Sequence, residues 1–130
     1  MALKLKDLNL EYETFIITKN ESSYFEIELY NPDGNKLLLN NFNIKIVFKY
    51  FKNILDNDRF ALVLKDYEQI RINENICYIK LLPEQTKELQ ITKKTNPLIM
   101  AIVLYDKEKK LRKEFQYKVY VRQNVSTNLY

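Results

Sequence analysis

Residues 114–122 set Phe115, Tyr117, Val119 and Val121 on one side of the chain and Glu114, Gln116, Lys118 and Arg122 on the other, with Tyr120 the one exception. Side chains of an extended chain point alternately to its two faces, so this spacing predicts a half-buried strand: one apolar row packs on a second layer and the other meets water or a partner. The same period recurs. Residues 24–30 turn Phe25, Ile27 and Leu29 inward, and residues 43–51 collect Ile44, Ile46, Phe48 and Tyr50 on one face, with Val47 and Phe51 on the other beside Asn43, Lys45 and Lys49. Residues 69–73 alternate Ile70 and Ile72 with Gln69 and Arg71.

Turn chemistry separates these runs. Asn31-Pro32-Asp33-Gly34 holds the only glycine, with proline preset for the second turn position and glycine free to take positive φ, so a tight reversal is close to forced. Residues 19–22 form a polar turn after a strand over 12–18, and Asn73-Glu74-Asn75 turns the 69–73 strand into a second one over 76–82. Residues 36–39 suggest a short strand, 53–58 a loop, and 60–64 either a strand or a helical turn. Pro83-Glu84-Gln85-Thr86 suits one helical turn across the end of a sandwich, because proline fits a first helical position. Strands over 98–105 and 111–123 then enclose a charged tip at 106–110. Seven or eight short strands with no long helix predict an all-β, antiparallel immunoglobulin-like β-sandwich.

At 130 residues the chain has the size of one domain, residues 1–130, and no linker, repeat or low-complexity stretch divides it. The polar tail, residues 124–130, is expected to be mobile or to be ordered by a partner. An apolar share of 46% with 29% charged residues excludes intrinsic disorder, and seven Phe with ten Tyr favour pleated surfaces. The net charge of +4 comes from basic and acidic residues interleaved along the chain, whereas nucleic-acid binding needs a concentrated basic patch. Charges interrupt every apolar stretch near the start, so neither a secretion signal nor a membrane span is expected.

Residue types that carry most chemistry are missing. There is no histidine for acid–base work or zinc, no glycine-rich loop for phosphate, and no Cys/His pair. Asp56-Asn57-Asp58 lacks the glycine and distal glutamate of a calcium loop and reads as a turn. The lone Cys77 lies in an apolar run and is expected to be a buried, inert thiol. Asn20-Glu21-Ser22 and Asn124-Val125-Ser126 match the glycosylation pattern, but such matches arise by chance in an asparagine-rich chain. No catalytic residue, metal ligand or cofactor is assigned.

Two features bear on binding instead. Residues 98–104, Leu-Ile-Met-Ala-Ile-Val-Leu, have no polar face and need cover on both sides, from loops or a helical turn of the same domain or from another chain. Tyrosines fall on predicted outer faces, and this large, stiff, hydrogen-bonding side chain is favoured in interfaces. Tyr30, Tyr120, Tyr24, Tyr12, Asn124 and Tyr130 are the candidate partner-binding residues.

The hairpin over 70–81, the corner Leu82-Pro83-Glu84-Gln85-Thr86, the long hairpin from Leu98 through Tyr105-Asp106 to Tyr117-Lys118-Val119-Tyr120-Val121, and the closing Asn124-Val125-Ser126 resemble the amino-terminal sandwich domain of phage upper-baseplate-related proteins. Asn96-Pro97 and residues 107–110 stand where that pattern usually carries glycines. The resemblance implies a non-enzymatic virion structural protein, made in the host cytoplasm. It would dock as a homo- or hetero-oligomer onto other structural proteins of tail, baseplate or head, without nucleic acid, membrane or cofactor. A carbohydrate- or host-surface-binding module using tyrosines as stacking platforms is the alternative. A hydrolase working through carboxylates alone is a third reading, and it requires two acids converging in a pocket.

Overall fold

The computed structural model describes residues 10–56, 59–65, 68–106, 108 and 112–124, with side chains from residue 15 onward. Among these residues eight strands form two sheets: β1 (Leu10–Thr18), β2 (Ser23–Glu28), β3 (Phe42–Tyr50), β4 (Leu62–Leu64), β5 (Ile70–Asn73), β6 (Ile76–Leu81), β7 (Leu98–Asp106) and β8 (Arg112–Arg122). A larger sheet has the order β1-β8-β7-β3-β4 and a smaller one the order β2-β6-β5. Set beside the strand letters of immunoglobulin domains, β2, β6 and β5 occupy the B, E and D positions, and β8, β7, β3 and β4 the G, F, C and C′ positions. The all-β immunoglobulin-like sandwich expected from the alternation is the fold observed.

One pairing departs from the expected antiparallel pattern. β1 runs parallel to β8, from Thr14 opposite Lys118 to Thr18 opposite Arg122, with the register shifted between Leu10 and Thr14. Six described strands separate β1 from β8 along the chain, so no hairpin joins them and nothing forces them antiparallel.

The core follows the period-two rows. From the larger sheet come Ile17, Ile46, Phe48, Leu64, Met100, Ile102, Leu104, Tyr117, Val119 and Val121; Phe25, Ile27, Ile70, Cys77, Ile79 and Leu81 meet them from the smaller sheet. Antibody domains join strands B and F by a disulfide. Here those strands contribute Phe25, Ile27, Met100 and Ile102, and the only cysteine lies on β6 as a free thiol. Phe15 on β1 packs edge-on against Phe25 at 5.1 Å and Tyr117 at 5.7 Å, which ties the two sheets together beside β2.

β7 is covered on both sides, as its sequence requires. Its outward residues Ile99 and Val103 are 1% and 3% exposed. Their cover is supplied by the β3–β4 connection, which begins as a 3₁₀ turn at Phe51–Asn53 and brings Ile54 and Phe60 over the sheet beside Lys45 and Lys49. The Lys49 ammonium lies 4.8 Å from the centre of the Phe60 ring, a cation–π contact, and donates to the Asp56 carbonyl. The stretch 60–64, open between strand and helical turn, is strand from Leu62 to Leu64.

The short strand expected over 36–39 is not formed. Lys36 makes a single bridge to Tyr30, and Leu39–Asn41 is a 3₁₀ turn that buries Leu39. The Asn-Pro-Asp-Gly reversal behaves as expected: Gly34 has a φ of 89° and its N–H donates to Asn31 O at 2.9 Å. The helical turn at Pro83–Lys87 also forms, with the Leu82 N–H donating to the Gln85 side chain at 2.9 Å. Of the charged tip at 106–110 only residues 106 and 108 lie among those described, and the tail from 125 lies outside them.

Phe48 is fully buried at the centre of the sandwich, whereas Ile72 stands on an edge strand and is 39% exposed. Replacing Phe48 by Ala is expected to lower the unfolding free energy by about 3–5 kcal/mol, against roughly 1 kcal/mol or less for Ile72→Ala, as read by guanidinium titration.

Candidate functional site

Among the described residues, no loop crosses the outer face of the smaller sheet as the β3–β4 connection crosses that of β7. Residues of β2, β6 and β5 whose neighbours point into the core must point outward, and the register aligns them in rows. Tyr24 stands beside Lys80, and Glu26 beside Tyr78, which in turn stands beside Arg71. Tyr24 is 70% exposed and Tyr78 37%. The Lys80 ammonium lies 5.8 Å from the Tyr24 ring centre. Together with Gln69 and Ile72 these side chains border an open depression of about 750 Å³. Its walls carry both charge signs and two phenol rings, the mixture of anchors and polar groups that suits recognition of another surface.

At the rim, Gln69 donates to the Lys80 carbonyl at 3.1 Å and to Gln85 at 2.6 Å, so α1 (Pro83–Lys87) is fastened to one end of the face. At the other end the Tyr30 hydroxyl donates to Glu28 Oε2 at 2.6 Å. That carboxylate bond holds the Tyr30 phenol above its ordinary pKa, because a phenolate would lose it and face the negative charge. Buried Asn75 closes the same end by donating to the Leu29 carbonyl at 3.1 Å.

The structure distributes the sequence candidates unevenly. Tyr24 and Tyr30 lie on or beside the outer face of the smaller sheet and are exposed. Tyr120 is half-buried on the opposite sheet, next to Ile16 of β1. Asn124 is buried, and Tyr130 and the Tyr12 side chain lie outside the described residues. Sequence reasoning passed over Tyr78, Arg71, Lys80 and Glu26. Their signal was present in the phase of the alternation over 76–82, where Cys77, Ile79 and Leu81 must be inside and Tyr78 and Lys80 therefore outside.

Among the described residues no group of three or more acidic or cysteine side chains converges on a point that could hold a metal ion. Asp56 pairs with Arg59 at 3.1 Å, and Asn57 and Asp58 lie outside the described residues. Of the described residues, none forms a helix long and apolar enough to cross a membrane. Cys77 is buried, and burial alone pushes its thiol up to about 12, so the nucleophilic thiolate is suppressed at neutral pH.

No family model and no curated protein matches the chain. Among solved structures it is similar to a chain of the titin M10–obscurin-like 1 Ig complex, at 8% identity and a TM-score of 0.39 over 85% of this chain and 87% of that one.

The Cys77 thiol supplies a check on the packing. Its folded pKa lies above its unfolded one, so its contribution to stability is complete below the ordinary thiol value of 9.0 and is lost as pH rises towards about 12. Unfolding titrations between those limits should show a steeper loss of stability for the native chain than for Cys77→Ala. A disulfide reagent at pH 8 should modify Cys77 only after denaturant is added.

Proposed function

We propose that the protein is a non-enzymatic docking module, a small sandwich that binds other protein subunits through the tyrosine-bearing outer face of β2, β6 and β5. The observation that carries this reading is the placement of Tyr24 and Tyr78, with Arg71, Lys80 and Glu26, around one open depression on a sheet whose other side is the core. Phenol rings bury much area at little conformational cost, and flanking charges fix orientation without chemistry of their own.

The second-half resemblance to baseplate sandwich domains supports a finer reading: a structural adaptor of a phage virion that docks onto tail, baseplate or head subunits. Glycan binding is a second reading, favoured by the two exposed phenol rings on the same depression, since sugar faces stack on aromatic side chains. It differs in its readout. A virion adaptor should be present in purified particles at fixed stoichiometry and show no saturable signal on a glycan array.

Tyr24→Ser combined with Tyr78→Ser is expected to leave the melting curve within a few degrees of the parent and to reduce incorporation into particles about tenfold or more, as for the loss of two interface anchors. Quantitative immunodetection in gradient-purified particles measures it. Full incorporation of the double variant would exclude this face as the contact.

A further inference from the structure

The smaller sheet ends at β2, with β6 on one side of that strand and no described strand on the other. Hydrogen bonding fixes which main-chain groups face each way. Leu29 N–H donates to Asn75 O at 2.9 Å, and Lys80 N–H donates to Gln69 O at 2.8 Å. In an antiparallel ladder alternate residues bond to the same neighbour. Ser23, Phe25 and Ile27 therefore bond to β6, and Tyr24, Glu26 and Glu28 direct their N–H and C=O groups to the side on which no strand is described. The residues offering main-chain groups are the ones whose side chains are exposed on the outer face.

We infer that the β2 edge takes up one extended segment of a partner protein, carrying Lys or Arg at alternate positions and apolar residues between them. This rests on the docking reading above and names the chemistry of the partner. Three features select that occupant. N–H and C=O groups that no described strand engages, at every second residue, fit an added strand, which needs no pocket. Glu26 and Glu28 stand where side chains of an added strand lie directly opposite, so basic residues are favoured there and acidic ones opposed. On the inner side of the edge Phe15 is half-buried against Phe25 and presents an apolar surface to the interleaved residues. A second copy pairing antiparallel through its own β2 in the register centred on Glu26 would set Glu26 against Glu26, which disfavours self-association in that register.

Fluorescence anisotropy with a labelled peptide of about eight residues, alternating lysine with valine, tests the assignment on the full chain. Saturable binding is expected, with none for the peptide in which glutamate replaces lysine. Glu26→Gln should weaken binding about threefold by removing one charge. Glu26→Pro, tolerated because its N–H faces away from β6, should weaken it about tenfold or more. Methylating one alternate set of peptide amides should abolish binding while methylating the other set leaves it intact, a measurement that needs no protein variant.

Absence of binding by the lysine peptide, or equal indifference to both methylation patterns, overturns the inference. A chain incorporated into particles through Tyr24 and Tyr78 but blind to the peptide sinks the edge assignment alone. A chain absent from particles that still takes the peptide sinks the virion reading alone.

Discussion

β7 is apolar on both faces, and that single property arranges the rest of the molecule. A strand of this kind is unstable at an edge or with one side in water, so it takes the middle of the larger sheet, between β3 and β8. Both neighbours run alongside it for most of its length, from Phe42 opposite Asp106 to Tyr50 opposite Leu98 on one side and from Leu98 opposite Val119 to Tyr105 opposite Arg112 on the other. Its inner row makes the centre of the core. Its outer row requires a separate cover, and the β3–β4 connection is committed to providing it through Ile54, Phe60 and the lysines over the Phe60 ring.

With the middle fixed by apolar contact, polar groups close the ends. The buried Thr86 hydroxyl lies 2.8 Å from the Glu21 carbonyl, joining α1 to the turn between β1 and β2. The Tyr50 hydroxyl accepts from the Gln90 N–H at 2.7 Å, and Thr92 exchanges bonds with the main chain of Val121. No described buried side-chain nitrogen or oxygen is left without a partner. Such closure matters because an orphaned buried polar group costs about 1–3 kcal/mol, a large fraction of the stability of a domain this size. The ends of the sandwich are thus specified by directional bonds and its middle by area.

Much of the fold was legible because period-two alternation is a local property. The inward rows of β2, β3 and β8 follow directly from it, and so does the need to cover Ile99 and Val103. What was hidden is non-local. The parallel pairing of β1 with β8 depends on which strands meet across about a hundred residues of chain, and no residue in either strand encodes direction. The 3₁₀ turn at Leu39–Asn41 was mistaken for part of a strand, because Leu37 and Leu39 are both buried and two apolar residues spaced by one satisfy either geometry. The outer face of the smaller sheet was only half visible for a similar reason. Tyr24 is recognisable as outward within its own strand, but its association with Tyr78, Lys80 and Arg71 requires the β2-β6-β5 register.

The two outer faces now differ in a way that composition alone would not suggest. The larger sheet has the more apolar outer surface by sequence, yet Ile99 and Val103 of its central strand are already buried beside the β3–β4 connection, whereas Ile16 on β1 stays exposed. The smaller sheet is more polar, yet Tyr24 and Tyr78 stay exposed, and among the described residues no strand lies beyond β2. Free energy for association comes from surface that is still hydrated in the free protein, not from surface that folding has already covered. On the docking reading proposed above, the polar sheet is the one whose phenol rings remain hydrated and able to gain from contact. That reading asks for no histidine, paired thiols or glycine loops, because an aromatic face draws on phenol groups and an added strand on backbone groups, which need none of those residue types.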